Sequence, residues 1–308
     1  MTLVEIDGHE LKLSNLDKVL YPAPGFTKGE VIDYYARVAP TLLPHLGDRA
    51  ITLKRYPDGV DGKFFYEKNC PRHHPNWVPV QPVRSEDGFI EYCQLDSVAA
   101  VVWAANLASL ELHTTMARAA TPDNPTMVVF DLDPGPPADI LDCADVALWI
   151  RDLLAGIGLD CVAKTSGSKG LQVYLPLNGE NDYDHTTGFA KYVAELMERE
   201  EPGRVVSVQK RDLRRGKVLV DWMQNSFHKT TVCAYSLRAR EQPTVSTPVT
   251  WTEVEAAHDE RDAALLTFTA PDVLDRIAEH GDLWAPTLTL TQSLPPDGPT
   301  ATAPRVHH

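Results

Sequence analysis

The stretch Thr126–Pro136, TMVVFDLDPGP, decides how this chain is read. Met127 to Phe130 is a continuous apolar run with adjacent β-branched valines, the pattern of a strand buried on both faces. Pro134 and Gly135 stop it. Side chains at i and i+2 of a strand point the same way, so Asp131 and Asp133 project side by side from its end. Two carboxylates so placed repel unless something cationic sits between them. The stretch reads either as two solvated aspartates in a strand-end turn or as a metal or phosphate site.

A third carboxylate bears on that choice. Asp221 closes another apolar strand, KVLVDW, and lies 88 residues after Asp133, so only the fold can bring the three together. Three carboxylates converging at strand ends make a hard-oxygen site suited to Mg²⁺ or Mn²⁺. Two such ions ~3.5–4 Å apart clamp the attacking and leaving oxygens of phosphoryl transfer.

Around these strands the chain alternates elements. VEIDGHELKL is a hairpin turned by Asp7-Gly8. TKGEVIDYYARVAPTLLPHL is a helix opened by Thr27 and Glu30 in capping-box spacing. RAITLKRYPDGVDGKFFYEK reads as strand, turn, strand, and YCQLDSVAAVVWAANLASLELH leads into a buried helix. ADILDCADVALWIRDLLAGIGL is an amphipathic helix ending near Gly156 and Gly158. Next come strand DCVAK, loop TSGSKG, strand LQVYLPL and a helix over about Thr186 to Glu200. RVVSVQK and KVLVDWM are strands flanking the basic turn RDLRRG, and APDVLDRIAEHG is a last helix. The class is α/β or α+β with a mixed central sheet flanked by helices. Residues 1–285 form one domain with N-terminal hairpin and helix elements, followed by a flexible Pro/Thr-rich tail, 286–308.

Composition sets the surroundings. A chain of 308 residues, 43% hydrophobic and 23% charged, is ordinary for a globular protein with a sizeable core. No secretory leader and no apolar run of ~20 residues is visible, which points to the cytoplasm and away from membranes. Five scattered cysteines fit reduced thiols better than a disulfide framework. The net charge of −14 argues against nonspecific nucleic-acid binding, yet Arg204 to Arg240 carries nine Lys or Arg against two acids. That segment is a solvated basic face or a basic groove on an acidic body.

Three further motifs carry chemistry. In KTSGSKGLQVYLPL, Ser166, Gly167, Ser168, Lys169 and Gly170 link two strands; glycine permits close backbone approach, and hydroxyls, amides and Lys169 suit phosphate. A plain hairpin turn is the alternative, and the spacing is not that of a Walker A loop. KFFYEK places Phe64, Phe65 and Tyr66 between Lys63 and Lys68, either a base-stacking platform beside a phosphate backbone or a buried aromatic strand. Because adjacent rings point to opposite faces, at most one face can be a platform. CPRHH offers Cys70, His73 and His74, which reads as a structural turn because no partner pair stands at zinc-finger spacing.

Taken in order, LSNLDKVLYPAPGFTKGEVIDYYA, FDLDPG, TSGSKG, KVLVDWMQN and YSLRAR resemble the polymerase module of bacterial DNA ligase D, within the archaeo-eukaryotic primase superfamily. The resemblance runs almost the whole chain. It implies Asp131, Asp133 and Asp221 as ligands of the catalytic metals, Mn²⁺ or Mg²⁺. It implies Lys54, His113, Ser166, Lys169 and Arg240 near the nucleoside triphosphate and its phosphates, with Gly170, Gln172, Gln224 and Arg238 in the same set. Lys18 and Lys28 match lysines that grip a 5′-phosphate at a gap or break, and Lys68, Arg214 and Arg215 join the DNA-contacting set. Phe65 and Tyr66 match a base-stacking aromatic pair, in which Tyr66 replaces the usual Phe, a mild exchange. Gln172 stands where the family usually has a phosphate-contacting His; glutamine donates a hydrogen bond but carries no charge, so weakened nucleotide affinity or rate is expected.

The implied activity is template-directed nucleotidyl transfer, ribonucleotide-preferring, at DNA ends or short gaps bearing a 5′-phosphate, in repair such as non-homologous end joining. No ligase or nuclease module is visible in these residues, so Ku and a ligase are expected as separate chains at the nucleoid. Two alternatives fit the same residues. A haloacid-dehalogenase-type phosphatase would use Asp131 as nucleophile and Asp133 as acid/base. A DNA-end-binding module with weakened catalysis is motivated by Gln172.

Overall fold

The computed structural model describes residues 1–85 and 87–295. β1 (Thr2–Ile6) and β2 (His9–Leu13) form the expected hairpin, with Asp7 and Gly8 both at positive φ as a two-residue turn demands. After the short pair β3 (Val19–Tyr21) and β4 (Phe26–Thr27), α1 (Lys28–Leu46) opens on a complete capping box. The Thr27 hydroxyl accepts from the Glu30 amide, and the Glu30 carboxylate accepts from the Thr27 amide. β5 (Arg49–Arg55) and β6 (Phe65–Glu67) pair antiparallel, as do β7 (Val80–Ser85) and β8 (Gly88–Cys93). α2 (Val98–Asn106) is apolar all round and buried from Ala99 to Ala105.

β9 (Ser109–Arg118) and β10 (Thr121–Pro125) lead into β11 (Met127–Pro134), where Met127 to Phe130 are all buried, as its apolar run predicts. α3 (Ile140–Ala155), β12 (Val162–Thr165) and β13 (Leu171–Pro176) follow. α4 (Tyr183–Glu200) begins three residues before the expected Thr186, because the Asp182 carboxylate caps it by accepting from the His185 amide. β14 (Val205–Val206) and β15 (Val218–Asp221) flank the basic turn but run parallel, so the turn is a crossover and not a hairpin. β16 (Thr230–Val232), β17 (Pro248–Val249), α5 (Trp251–Glu260), α6 (Ala270–His280) and α7 (Pro286–Thr289) complete the order.

The chain forms two compact units, each assembled from separated segments. The first takes Met1–Pro122, Thr230–Thr247 and Phe268–Asp282. Its main sheet has the order β10-β9-β5-β6, with β16 also on β9. α1 fills it with Tyr34 and Tyr35, whose hydroxyls donate to the carbonyls of Tyr235 and Leu110. The second takes Asp123–Lys229, Pro248–Thr267 and the chain from Leu283. Its mixed six-stranded sheet has the order β14-β15-β11-β13-β12-β17. α3 and α4 both pack on β11, which is why that strand tolerates no polar residue before Asp131.

Two expectations are corrected. Cys70 and Cys93 are joined in a disulfide, whereas Cys143, Cys161 and Cys233 are buried outside any disulfide. The Cys70 amide donates to the Glu91 carbonyl, so the chain after β6 lies along β8 and brings the two thiols together across 23 residues. The ordered chain also extends past Pro286. Thr287 and Leu294 are buried, and the Gln292 side chain donates to the carbonyls of Asp160 and Pro176. The rest of the expected tail lies outside the described residues.

Candidate active site

In the second unit, the strand ends bring together residues far apart in sequence. Asp131 on β11 lies opposite Asp221 on β15 and, on its other side, opposite Gln172 on β13. Gln172 in turn faces Lys164 on β12. The four residues therefore form one row across four adjacent strands, and opposite side chains of a sheet share a face. Gln172 Nε2 donates to Asp131 Oδ1 at 3.0 Å, and Lys164 Nζ donates to Gln172 Oε1 at 2.5 Å. Asp221 is buried; its Oδ2 accepts from Gln209 and Gln224, and its Oδ1 from the Met223 amide. Asp133 is exposed at the strand's end.

Asp131 shows what this crowding costs. Burial and the neighbouring Asp133 push its carboxyl up to about 7; Asp221 adds to the push, while the Gln172 hydrogen bond and Lys164 oppose it. Among the described residues, no three His, Cys, Asp or Glu side chains stand together as a preformed ligand set. The strand ends thus oppose Asp131 and Asp221 directly, without a preformed three-ligand set among the described residues. Amides from Gln172, Gln209 and Gln224 hold the inner carboxylates. The donor set still fits a hard divalent cation: carboxylate oxygens only, with more negative charge than Lys164 alone balances.

The surrounding loops are built for a close approach. The Ser166 hydroxyl accepts from the amides of Ser168 and Gly170, folding TSGSKG into a tight turn, and Lys169 is exposed with no acidic partner among the described residues. A Cβ on Gly170 would overlap the Leu132 carbonyl oxygen, and one on Gly135 would overlap that of Arg214. Glycine is required at both places because backbone meets backbone. The Gly135 amide donates to the Lys217 carbonyl, and the Gly216 amide to the Gly135 carbonyl. The basic turn with Arg214 and exposed Arg215 is therefore clamped to the DPG turn that follows Asp133.

In the first unit, the nucleotide-set residues Lys54, His113 and Arg238 gather around a residue that sequence reasoning missed. Glu111 on β9 is 2% exposed and accepts from Lys54, His113, the Tyr56 hydroxyl and the Ala239 amide, with the Arg238 guanidinium 3.4 Å away. Burial alone would raise its carboxyl, but the His113 hydrogen bond and the charges of Arg238 and Lys54 outweigh it and hold Glu111 well below the usual carboxylate range. Burial lowers His113, with Glu111 opposing. Burial lowers Lys54 as well. The available signal was one acid inside an apolar strand, two residues from His113 and so on its face.

Phe65 and Tyr66 are exposed, which removes the reading of KFFYEK as a buried aromatic strand. They divide between faces as alternation demands. Tyr66 lies opposite Lys54, whose ammonium also faces the Phe64 ring, while Phe65 lies opposite Arg55. Arg240 and Lys68 are exposed without acidic partners among the described residues. Lys18 is exposed and pairs with Asp58 at 3.0 Å. Lys28 is buried, its ammonium donating to the Ser14 carbonyl at 2.7 Å, and burial followed by the charge of Lys18 lowers its pKa. Neither His73 nor His74 joins a metal-binding group among the described residues.

Residues 27–284 match the family model of the LigD primase-polymerase domain. This chain belongs to that family. The multifunctional non-homologous end joining DNA repair protein LigD of Mycobacterium tuberculosis is 43% identical over 279 residues, covering 88% of this chain and 36% of that protein. The multifunctional non-homologous end joining protein LigD of Mycolicibacterium smegmatis is 38% identical over 278 residues, covering 90% of this chain and 36% of that protein. This chain thus spans about a third of the length of these relatives. The polymerase domain of M. tuberculosis ligase D, solved in complex with DNA, superposes with a TM-score of 0.84 at 41% identity, over 92% of this chain and 99% of that domain. LigD primase-polymerase domains are nucleotidyltransferases, and the phosphatase alternative falls with this membership.

Proposed function

We propose that this chain is a metal-dependent, template-directed nucleotidyltransferase that fills gaps or extends ends during DNA break repair, preferring ribonucleotides. The observation that carries the proposal is the placement of Asp131 opposite Asp221, with Asp133 two residues on, in a member of this family. Asp131, Asp133 and Asp221 would hold Mn²⁺ or Mg²⁺. When bound, such ions activate the primer 3′-hydroxyl and neutralise the departing pyrophosphate.

The chain's own residues do the binding and orienting. The nucleotide set is assigned unit by unit: Lys54, His113, Arg238 and Arg240 in the first, and Ser166, Lys169, Gly170, Gln172 and Gln224 in the second. Gln172 is buried and hydrogen-bonded to Asp131, which favours an effect on that carboxylate over a direct phosphate contact. Phe65 and Tyr66, exposed on opposite faces of β6, each offer a ring for base stacking. Lys18 and Lys28 take the 5′-phosphate at a gap, and Lys68, Arg214 and Arg215 the DNA backbone. Residues 1–285 act as one functional module at the nucleoid, with Ku and a ligase as partners; none of the described helices is long and apolar enough to cross a membrane.

The test is single-nucleotide insertion on a gapped duplex with a 5′-phosphate, comparing ribo- with deoxynucleoside triphosphates, beside an Asp131→Ala/Asp133→Ala control. Templated insertion lost in the control supports the proposal. Gap binding without insertion, in wild type and control alike, would instead make the chain an end-binding module.

A further inference from the structure

Lys164 is an unexplained feature of the strand row. It is fully buried in the middle of a sheet, where an ammonium is costly unless its head is held. Its Nζ meets the Gln172 side-chain oxygen, with the Tyr174 ring 5.6 Å away and the Tyr174 hydroxyl 3.5 Å from the same oxygen. An ammonium is only a donor, so it fixes which end of the Gln172 amide faces it. The oxygen must point to Lys164, and the NH₂ must then point to Asp131, where it donates at 3.0 Å. Lys164 thus anchors the oxygen end of the amide, beside the Tyr174 hydroxyl, and holds the NH₂ end where Asp131 accepts from it.

We propose that Lys164 is a positioning residue for the candidate metal site, acting through Gln172 to keep a hydrogen-bond donor on Asp131. The pair Lys164–Gln172 divides between two strands a task that a single cationic side chain could perform. The donor occupies one Asp131 oxygen and leaves the other for a cation, which is how groups behind a ligand tune metal sites. Lys164 itself touches no substrate.

This inference rests on the metal-site reading above, and its experiment separates the two. Mn²⁺ binding to the full chain, without DNA or nucleotide, is measured by the electron paramagnetic resonance signal of free Mn²⁺. The proteins are wild type, Lys164→Met, Gln172→Leu and the double variant, each checked for folding by thermal melting. The expected result is about tenfold weaker Mn²⁺ binding in each single variant. The double variant should be no worse than Gln172→Leu, because both remove the same donor. If Lys164→Met does not fold, Gln172→Leu and Gln172→His carry the test: the first should lose affinity, and the second, which keeps a donor, should retain it. Unchanged Mn²⁺ affinity with only a lowered melting temperature would make Lys164 a packing residue and overturn the proposal, as would additive losses. A wild-type chain that binds no Mn²⁺ would overturn the metal reading itself and this inference with it.

Discussion

Asp131 and Asp221 face one another directly across the antiparallel strands β11 and β15. Opposed carboxylates on neighbouring strands destabilise a sheet. The Asp131 carboxyl is pushed up to about 7 from a reference of 3.8, chiefly by burial and Asp133, with Asp221 adding to the push. Between those values the folded state keeps a proton that the unfolded chain has released. Folding stability of the metal-free protein therefore falls as pH rises from about 4 to about 7, and this contribution is flat above that. Asp131→Asn should raise metal-free stability at pH 8 by about 1–4 kcal/mol while abolishing nucleotide insertion. Urea unfolding at pH 8 checks it; a variant less stable than wild type contradicts the account.

Glu111 shows the opposite sign. Its carboxyl is held well below the usual range, so the stability it contributes is present at neutral pH and is lost as pH falls below about 4.5. Glu111→Gln leaves Lys54 and Arg238 without their buried counter-charge and should cost about 3 kcal/mol or more. It should also weaken nucleoside triphosphate binding, since the two cations lose their common anchor. Guanidinium melts at pH 7.5 and nucleotide titration read the two effects; a loss under about 1 kcal/mol would remove Glu111 from the centre of that cluster.

Gly170 and Gly188 make a matched pair. A Cβ at Gly170 overlaps the Leu132 carbonyl oxygen, next to the strand end that carries the aspartates, whereas one at Gly188 in α4 meets open space. Gly170→Ala should destabilise by about 1–3 kcal/mol and depress insertion. Gly188→Ala should stabilise by about 0.5–1 kcal/mol and leave insertion unchanged. Thermal melts beside single-turnover insertion decide; equal behaviour of the two would contradict the close approach.

Much of this fold is legible in the sequence because local chemistry dictates it. Asp7-Gly8 sets the first hairpin, Thr27 and Glu30 start α1, and the apolar run before Asp131 places β11 with both faces covered. What is not legible depends on pairing. Nothing local says that β14 and β15 run parallel, that Cys70 meets Cys93, or that Lys164 lies in register with Gln172. The aspartates announce themselves by spacing. Glu111 and Lys164 do not, because a single charged residue in an apolar strand gains meaning only from the strand beside it.

Lys18 and Lys28 give a prediction that separates binding from folding. Lys18→Ala should weaken binding to a 5′-phosphorylated gap more than to an unphosphorylated one, with stability nearly unchanged because the Lys18–Asp58 pair is exposed. Lys28→Ala should do the same and also lower the melting temperature, since its ammonium holds the Ser14 carbonyl. Fluorescence anisotropy on paired substrates measures both, and equal losses on the two substrates would contradict the phosphate assignment.

The central claim is that the carboxylates at the ends of β11 and β15 serve a metal-dependent transfer onto DNA. The most direct measurement is insertion into a 5′-phosphorylated gap by wild type and Asp221→Asn, each with Mn²⁺, with Mg²⁺ and with chelator alone. The account predicts templated insertion by wild type that disappears in chelator and in the variant under either metal. Insertion that persists in Asp221→Asn, or that survives the chelator, would contradict it.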